Sequence, residues 1–358
     1  MESVRHLIDW LASPIRFLPL VCVIFFLALR GYRTITRPRV ALAILLGAII
    51  FYVLSLLDHN FRHIVAKPDN VPITIMLFLS GFCTYLALRQ AAINDERMER
   101  GLAPLEKEGS ETIFVWPDLV YIEFLAAVLV GILLTIWSIE LKAPLEQPAS
   151  PFRAPNPSKA PWYFLGLQEM LVYFDPWLAG VVFPTLIITG LMSIPYMDMN
   201  PRGTGYYSFK QRRMAITLYL FGFLFLWVTL ITLGTFFRGP NWNFFGPYEY
   251  WDVHKVQPLV NINLSEIIYI KILGTGLPSN WFLREIWGLL FIAFYVFGLP
   301  PLLAKTALKN FAAKMGFIRY NVFMLHFLMM MLLPIKMICR WLFNLKYFVA
   351  VTEFFFNI

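Results

Sequence analysis

The sequence predicts an all-α integral membrane protein with about eight transmembrane helices. Hydrophobic residues make up 59% of the 358 positions and charged residues only 15%, whereas soluble chains carry roughly 25% charge. The mean hydropathy is +0.64. Several nearly uncharged apolar runs are about 18 to 25 residues long, enough to cross a hydrocarbon core of roughly 30 Å. Together these observations exclude a soluble globular domain.

The apolar runs define the expected elements in chain order. An amphipathic interfacial helix is predicted over residues 1–13, because Val4, Leu7, Ile8 and Leu11 fall on one helical face. The eight spans follow at residues 17–29, 40–57, 71–88, 119–139, 178–194, 214–237, 286–304 and 321–338. Residues 94–112 are predicted as a solvated loop or short helix, because they carry charges of both signs. Residues 239–280 are expected to hold a short surface helix, and the tail 339–358 is expected at the interface.

Charge distribution predicts the topology. The loops at 30–39, 92–117, 197–213 and 305–320 alternate along the spans and are rich in Lys and Arg, so they are assigned to the cytoplasmic side. The connector between spans four and five, the 239–280 segment and both termini then fall on the outer side. The net charge of +8 is therefore interpreted as a topology signal, and no nucleic-acid partner is predicted.

Cysteines and histidines give little sign of a metal centre. Cys22, Cys83 and Cys339 form no CxxC pattern, which argues against disulfides, zinc and covalently attached haem. His59 and His63 are four residues apart on one helix face, which cannot supply both axial ligands of one haem, and we expect them at the membrane surface. His326 is alone in span eight. The chain is therefore predicted to bind no bis-histidine haem by itself, and no metal site is assigned.

The connector from Pro144 to Pro161 is the most unusual stretch of the sequence. Prolines recur in it every two to four residues, which predicts stiff, extended backbone. It ends in the turn Ala160-Pro161-Trp162-Tyr163. The simplest interpretation is a loop that caps the bundle, with Trp162 and Tyr163 as interfacial anchors.

Ionisable groups near a membrane are costly and often functional. Glu123 lies one turn inside span four, and we interpret Asp175 as a turn residue facing water. Glu169 differs from both because apolar residues surround it in the sequence: Phe164, Leu165, Leu167, Met170 and Leu171.

The region from Trp116 to Trp251 resembles the C-terminal half of cytochrome b, which forms a separate subunit IV in the plastoquinol-oxidising complex. The similarity rests on three features: the helix start Trp116-Pro117-Asp118-Leu119, the Glu-Pro-Ala-like run Glu146-Gln147-Pro148-Ala149, and a proline-rich loop ending at Trp162-Tyr163-Phe164. The exit of span six, Phe237-Arg238-Gly239-Pro240-Asn241-Trp242, resembles bacterial members. Spans one to three and eight show no such similarity.

One position departs from the family pattern. Pro161 stands where the family has a glutamate proposed to accept a quinol proton, and proline cannot take a proton. Some bacterial relatives with active menaquinol enzymes carry such an Ala-Pro-Trp-Tyr turn. We therefore select Glu169 as the candidate catalytic proton acceptor.

The resemblance implies a membrane subunit of a bacterial quinol:cytochrome c oxidoreductase, using menaquinol, that is not catalytic alone. Pro161, Trp162, Tyr163 and Phe164 would line the outer quinol-oxidation site, and Asp118 would lie at an inner quinone site. The quinol would occupy a site shared with other chains, while haem b and a [2Fe–2S] cluster would be held only by partner subunits. The implied partners are a haem-bearing cytochrome b N-terminal-type subunit, a Rieske iron–sulfur protein, a c-type cytochrome and lipids, in a dimeric complex.

This interpretation divides the chain into an extension at 1–115, a cytochrome b C-terminal-like domain at 116–305 and a final span with its tail at 306–358. The location is the bacterial cytoplasmic membrane, with both termini and the Pro-Trp-Tyr loop outside. Two alternatives remain. One is a non-catalytic scaffold of a redox complex, which loss of the motif acid favours. The other is a solute or ion transporter, against which no inverted repeat is found.

Overall fold

The computed structural model describes residues 2–108, 113–140, 148–200 and 205–358. The first helices are α1 (Glu2–Ala12), α2 (Pro14–Arg30), α3 (Tyr32–Ile35), α4 (Pro38–Ser55), α5 (His59–Val65), α6 (Val71–Glu99) and α7 (Leu105–Glu108). They are followed by α8 (Val115–Glu140), α9 (Trp162–Met170), α10 (Leu178–Met197) and α11 (Phe209–Phe237). The last helices are α12 (Leu264–Glu266, continued by the π-helical turn Ile267–Ile272), α13 (Trp281–Lys305), α14 (Lys309–Met315) and α15 (Phe317–Phe343). The short strands β1 (Ala350–Val351) and β2 (Phe356–Asn357) pair antiparallel.

The all-α membrane architecture is confirmed. Within the described ranges seven helices are long and apolar enough to cross a membrane: α4, α6, α8, α10, α11, α13 and α15. The first predicted span corresponds to α2, which has 17 residues and a length of about 26 Å at 1.5 Å per residue. Helix α2 meets α1 at an angle of 84°. If this bent pair is counted as one broken span, the described residues contain eight candidate membrane spans.

Local chemistry sets several helix boundaries. Asp58 caps α5 by accepting hydrogen bonds from the backbone N–H groups of Asn60 and Phe61 at 2.9 and 3.0 Å. Asn280 caps α13 in the same way, and Pro38 opens α4, where its missing N–H costs no hydrogen bond. Gly316 separates α14 from α15 with a φ of 74°, which strongly favours glycine.

The bundle is built around α11. Leu230, Ile231 and Leu233 on this helix are at most 2% exposed, and they join a core that also includes Met337 of α15. By contrast, none of the residues of α8 is buried. Helix α8, which precedes the proline-rich connector, therefore lies on the outside of the bundle, whereas α11 lies at its centre.

The prediction of a solvated loop or short helix at 94–112 is correct for the short helix α7 but wrong for residues 94–99. Residues 94–99 continue α6, and Asn94 and Asp95 are 0% and 1% exposed. Asp95 accepts hydrogen bonds from the hydroxyl groups of Tyr32 at 2.8 Å and Ser208 at 2.6 Å. The helix continues through this polar sequence because side chains from two other segments satisfy its buried groups. Residues 109–112 lie outside the described residues.

These contacts also place three of the predicted cytoplasmic loops, those containing Tyr32, Asp95 and Ser208, at one end of the bundle. The fourth, at 305–320, contributes Met315 to a cluster against which Met197 and Met199 pack. We call this the loop end.

The opposite end, here called the connector end, holds the chain termini and the predicted outer segments. Tyr248 makes three hydrogen bonds at this end. The backbone N–H of Tyr248 donates to Asp9 at 2.9 Å, and its hydroxyl bonds to Ser55 at 2.7 Å. The carbonyl of Tyr248 accepts a hydrogen bond from Asn60 at 3.0 Å. The N-terminal extension is thereby joined to the segment that follows α11.

The C-terminal tail folds back on the bundle rather than only lying at the interface. Its short hairpin docks on α13, where the buried carboxylate of Glu285 accepts a hydrogen bond from the backbone of Ala350 at 3.0 Å. The indole of Trp177 donates to the carbonyl of Asn357 at 3.0 Å. The short helix expected within 239–280 is present as α12.

Candidate quinol-site helix

The end of the proline-rich connector is fixed to α9. Gln168 accepts a hydrogen bond from the backbone N–H of Ala160 at 2.8 Å and donates to the carbonyl of Ser158 at 2.9 Å. Asn156 makes two further bonds to Asn241, of 2.9 and 2.7 Å, which tie the connector to the loop after α11. The turn before Trp162 is therefore held from two sides, while Glu146 and Gln147 lie outside the described residues.

One face of α9 is exposed and aromatic. Trp162, Tyr163 and Phe164 are 42%, 50% and 52% exposed, and Pro161 is exposed at the start of the helix. The rings of Tyr163 and Phe164 are 4.6 Å apart, and those of Trp162 and Tyr163 5.7 Å apart. The predicted pocket residues thus lie together as a continuous surface that stays about half exposed in this chain.

The other face of α9 packs closely on α11. A Cβ atom added at Gly234 would lie 3.0 Å from Leu165 Cγ and 3.3 Å from the Leu165 carbonyl oxygen. At Gly166 the nearest atoms, on Trp227 and Ile231, would be 3.4 Å away. Glycine at these two positions therefore allows the helices to approach within van der Waals contact.

Glu169 lies in this interface and is 0% exposed. Its carboxylate receives two hydrogen bonds from Arg238, from Nη2 at 2.8 Å and Nε at 3.0 Å, and one from the hydroxyl of Tyr173 at 2.8 Å. Arg238 also donates to the carbonyl of Trp242 at 3.0 Å. Such a bidentate, charge-assisted pair is among the strongest hydrogen-bonding arrangements in proteins.

The electrostatics of the cluster follow from this geometry. Burial alone would lower the pKa of Arg238, but the adjacent Glu169 carboxylate raises it above its ordinary value. Burial, followed by the charge of Glu169, raises the pKa of Tyr173 well above its usual range. Arg238 therefore stays positive and Tyr173 stays protonated at physiological pH.

Lys159 is a half-buried lysine near the end of the connector. Its ammonium donates to the carbonyl of Thr235 at 2.7 Å and lies 4.7 Å from the centre of the Trp251 ring. Burial, reinforced by the positive charge of Lys67, lowers the pKa of Lys159 to about 7. This lysine therefore changes charge near neutral pH.

The structure separates Asp118 from the aromatic face. Asp118 is exposed in the first turn of α8, and the connector begins beyond the other end of that helix. A helix of 26 residues is about 39 Å long. The assignment of Asp118 to a separate quinone site stays a prediction.

Three of the five histidines have side-chain contacts within the described residues. His326 bonds through Nδ1 to the carbonyl of Val322 at 2.8 Å and through Nε2 to the hydroxyl of Thr189 at 3.2 Å, so it joins α15 to α10. His59 and His63 lie side by side on α5 with ring centres 6.3 Å apart. No group of His, Cys, Asp and Glu side chains suited to a metal ion occurs within the described ranges.

Sequence reasoning missed the residues that support the site. Arg238 was noted only as part of a resembling sequence, and Gln168 and Lys159 were not selected. Each contacts a group between 8 and 76 residues away in sequence. The available signal was the placement of Arg238, a lone cation directly after an apolar span, since such groups are costly unless paired.

The fold and this arrangement define an α-helical, multi-pass membrane protein that carries a supported aromatic face at one end of its bundle. Residues 148–248 match the family model described as cytochrome b (C-terminal)/b6/petD. This segment is therefore a cytochrome b C-terminal-type domain. The match covers less than a third of the chain: the connector, α9, α10, α11 and the loop through Tyr248. No curated protein and no solved structure matches the chain.

Proposed function

We propose that this chain forms one wall of the outer quinol-oxidation site in a bacterial quinol:cytochrome c oxidoreductase, with menaquinol as the substrate. The observation that carries the proposal is the exposed surface of Trp162, Tyr163 and Phe164 on α9. It belongs to the segment that matches the cytochrome b family, and the helix beneath it is fixed by Gln168 and by the Glu169–Arg238 pair. A rigid aromatic surface suits a flat quinone ring, because ring stacking contributes about 0.5–1.5 kcal/mol beyond area burial.

In this proposal the remaining walls and the redox centres belong to partner subunits. Electrons from the bound quinol would pass to a Rieske iron–sulfur cluster and to a b-type haem, both held by other chains. His326 supports this division, since both of its ring nitrogens already have partners within the bundle. The aromatic face and Pro161 would position the ring, while protons leave on the connector side.

Glu169 is proposed as the proton acceptor. It would have to act from a buried position in which Arg238 and Tyr173 occupy its oxygens, and the same contacts give it a purely structural role. The pH profile of turnover distinguishes these roles. Replacement Glu169→Gln should abolish one ionisation from the profile if Glu169 takes the proton, whereas a structural role predicts lower stability with an unchanged profile.

The quinol-site proposal is tested on the complex purified through a tag on this chain. A reduced-minus-oxidised spectrum and a haem stain should show b-type haem on a partner polypeptide. Tyr163→Ala should then raise the KM for menaquinol, or weaken binding of a quinol-site inhibitor, by about two- to twelvefold. Phe152→Ala is the matched control, because Phe152 is 96% exposed on the same connector, and it should leave both values unchanged.

The scaffold alternative is favoured by one observation, the proline at position 161 in place of the family acid. It predicts a complex that contains haem but binds no quinol-site inhibitor at this chain. Equal inhibitor affinity in the Tyr163→Ala, Phe152→Ala and unmodified complexes would therefore reject the quinol site and support the scaffold. The family match favours either redox role over a transporter.

A further inference from the structure

A large cavity with several charged side chains in its lining lies at the connector end, behind α9 and separate from the aromatic face. Its volume is about 840 Å³, within the range of ligand sites. Four basic side chains line it: Arg238, Lys255, Arg340 and Lys346. Two acids, Asp9 and Glu249, also line it.

The acids and two of the cations are already engaged with protein groups. Arg238 is paired with Glu169, and Lys255 lies 2.6 Å from the Glu249 carboxylate. Asp9 accepts the backbone N–H of Tyr248. The remaining cations are Arg340 and Lys346, and neither has a carboxylate within 4 Å in the part of the chain that the structure describes.

Arg340 is only 7% exposed, although it is a cation. Its Nη1 donates to the carbonyls of Val260 and Asn344, both at 3.1 Å. The second of these bonds reaches the residue that directly follows α15. The second terminal nitrogen and Nε have no hydrogen-bond partner among the described residues, so half of the guanidinium fork is available to a ligand.

Lys346 lies on the same wall. Its ammonium makes long hydrogen bonds to the carbonyls of Leu171 and Val172, at 3.2 and 3.4 Å. Burial, followed by the positive charge of Arg340, lowers the pKa of Lys346. The nearest opposing charge is Asp175, whose oxygen is held by Tyr347 and Asn357 at 3.3 and 3.0 Å.

A third basic side chain lies behind the cavity. Lys336 is 0% exposed, donates to the carbonyl of Lys346 at 2.5 Å and lies 4.6 Å from the centre of the Phe348 ring. Arg340, Lys346 and Lys336 form no ion pair with a carboxylate of the described residues, although Asp9 also lines the cavity. Because a buried charge is costly without a counter-charge, an anion in the cavity would offset the positive charge of Arg340 and Lys346.

We propose that this cavity binds a phosphate-bearing anion, with Arg340 and Lys346 as its principal ligands. The guanidinium fork matches the geometry of phosphate oxygens, and a lysine adds a point charge beside it. The cavity lies at the depth of the membrane interface, since α15 ends three residues beyond Arg340 and Trp242 and Trp341 line the walls. An acidic phospholipid head group and free phosphate share this chemistry, and the head group matches the depth.

The test uses the full chain in its purified complex, stripped of lipid by detergent exchange. Native mass spectrometry after incubation with mixed micelles measures retention of phosphatidylglycerol and of phosphatidylcholine, and calorimetry measures binding of inorganic phosphate. The unmodified complex should retain phosphatidylglycerol with a clear preference. Phosphate binding without that preference would assign the site to the free anion, and binding of neither would overturn the proposal without any variant.

The variant R340Q/K346Q should weaken retention at least about tenfold, because two charged donors are lost. R153Q/K271Q is the matched control: it removes the same two charges from exposed positions outside the cavity, and its retention should equal that of the unmodified complex. R340K/K346R keeps both charges and should retain binding within a few-fold, which distinguishes loss of the site from loss of the fold. Equal retention by R340Q/K346Q and the unmodified complex would reject the assignment of the ligands.

Discussion

The ion pair between Glu169 and Arg238 should be the most sensitive polar contact in the supporting layer of the site. The change Arg238→Gln removes two charge-assisted donors, at 2.8 and 3.0 Å, from a carboxylate that is 0% exposed. Only the hydroxyl of Tyr173 then remains on that carboxylate. Breaking a buried pair by removing one partner costs about 3–5 kcal/mol, because the other charge stays buried without compensation.

An exposed pair with similar geometry provides the control. Arg212 makes two hydrogen bonds to Asp198, of 2.7 and 2.6 Å, but the side chains are 29% and 28% exposed. Arg212→Gln should therefore cost only about 0–1 kcal/mol. The free energy of unfolding, measured by titrating SDS into mixed micelles, should separate the two variants by at least about 2 kcal/mol.

The double variant Glu169→Gln/Arg238→Gln completes the cycle. It removes both charges, so it should be more stable than Arg238→Gln alone, because no unpaired buried charge remains. If Arg238→Gln costs no more than Arg212→Gln, or if the double variant loses the sum of the single losses, the pair does not stabilise the α9–α11 junction.

Two further predictions concern the loop end and Lys159. Asp95→Ala should lower the free energy of unfolding by about 2–4 kcal/mol, because it leaves the buried hydroxyl groups of Tyr32 and Ser208 without their acceptor. The control variant Glu96→Ala, at the next residue, should change the free energy of unfolding by less than about 0.5 kcal/mol in the same SDS titration. Lys159 has a folded-state pKa lowered to about 7, against an ordinary value of 10.5. Between these pH values the unfolded chain therefore binds more protons than the folded protein. The free energy of unfolding of the unmodified protein should rise relative to that of Lys159→Met as the pH increases from 7 to 10. A constant difference between the two proteins across that range would show that Lys159 does not titrate as inferred.

The membrane spans could be predicted because each depends on a local property, a long apolar run. The error at residues 94–99 has the opposite cause. Asn94 and Asp95 begin a polar stretch that resembles a solvated loop, and their partners are supplied by Tyr32, Ser208 and Tyr207, which are 63 to 113 residues away. Local composition cannot reveal partners at that separation, so this buried polar network was interpreted as a solvated loop or short helix.

In the candidate site, too, local features could be predicted from the sequence and distant partners could not. The apolar neighbours of Glu169 correctly marked it as unusual, and the aromatic turn was recognisable from its order of residues. The sequence did not indicate that Arg238, 69 residues later, would meet Glu169, because nothing local links the two. Burial of a single acid can be expected from its neighbours, but the identity of its partner depends on the packing of α9 on α11.

The N-terminal extension, for which no family resemblance was found, contacts the matched segment at one residue in particular. Tyr248 is held by Asp9, Ser55 and Asn60, which belong to or adjoin α1, α4 and α5. Residues 238–248 connect Tyr248 to Arg238 along the chain, and Arg238 forms the ion pair with Glu169. A chain of packed and hydrogen-bonded groups therefore runs from the extension through the exit of α11 to the helix that carries Trp162 and Tyr163. Ala12, Leu18 and Ile73 of the extension also share the hydrophobic core of α11. Because a binding surface gains precision from the groups that hold it in place, we expect the extension to support the proposed site.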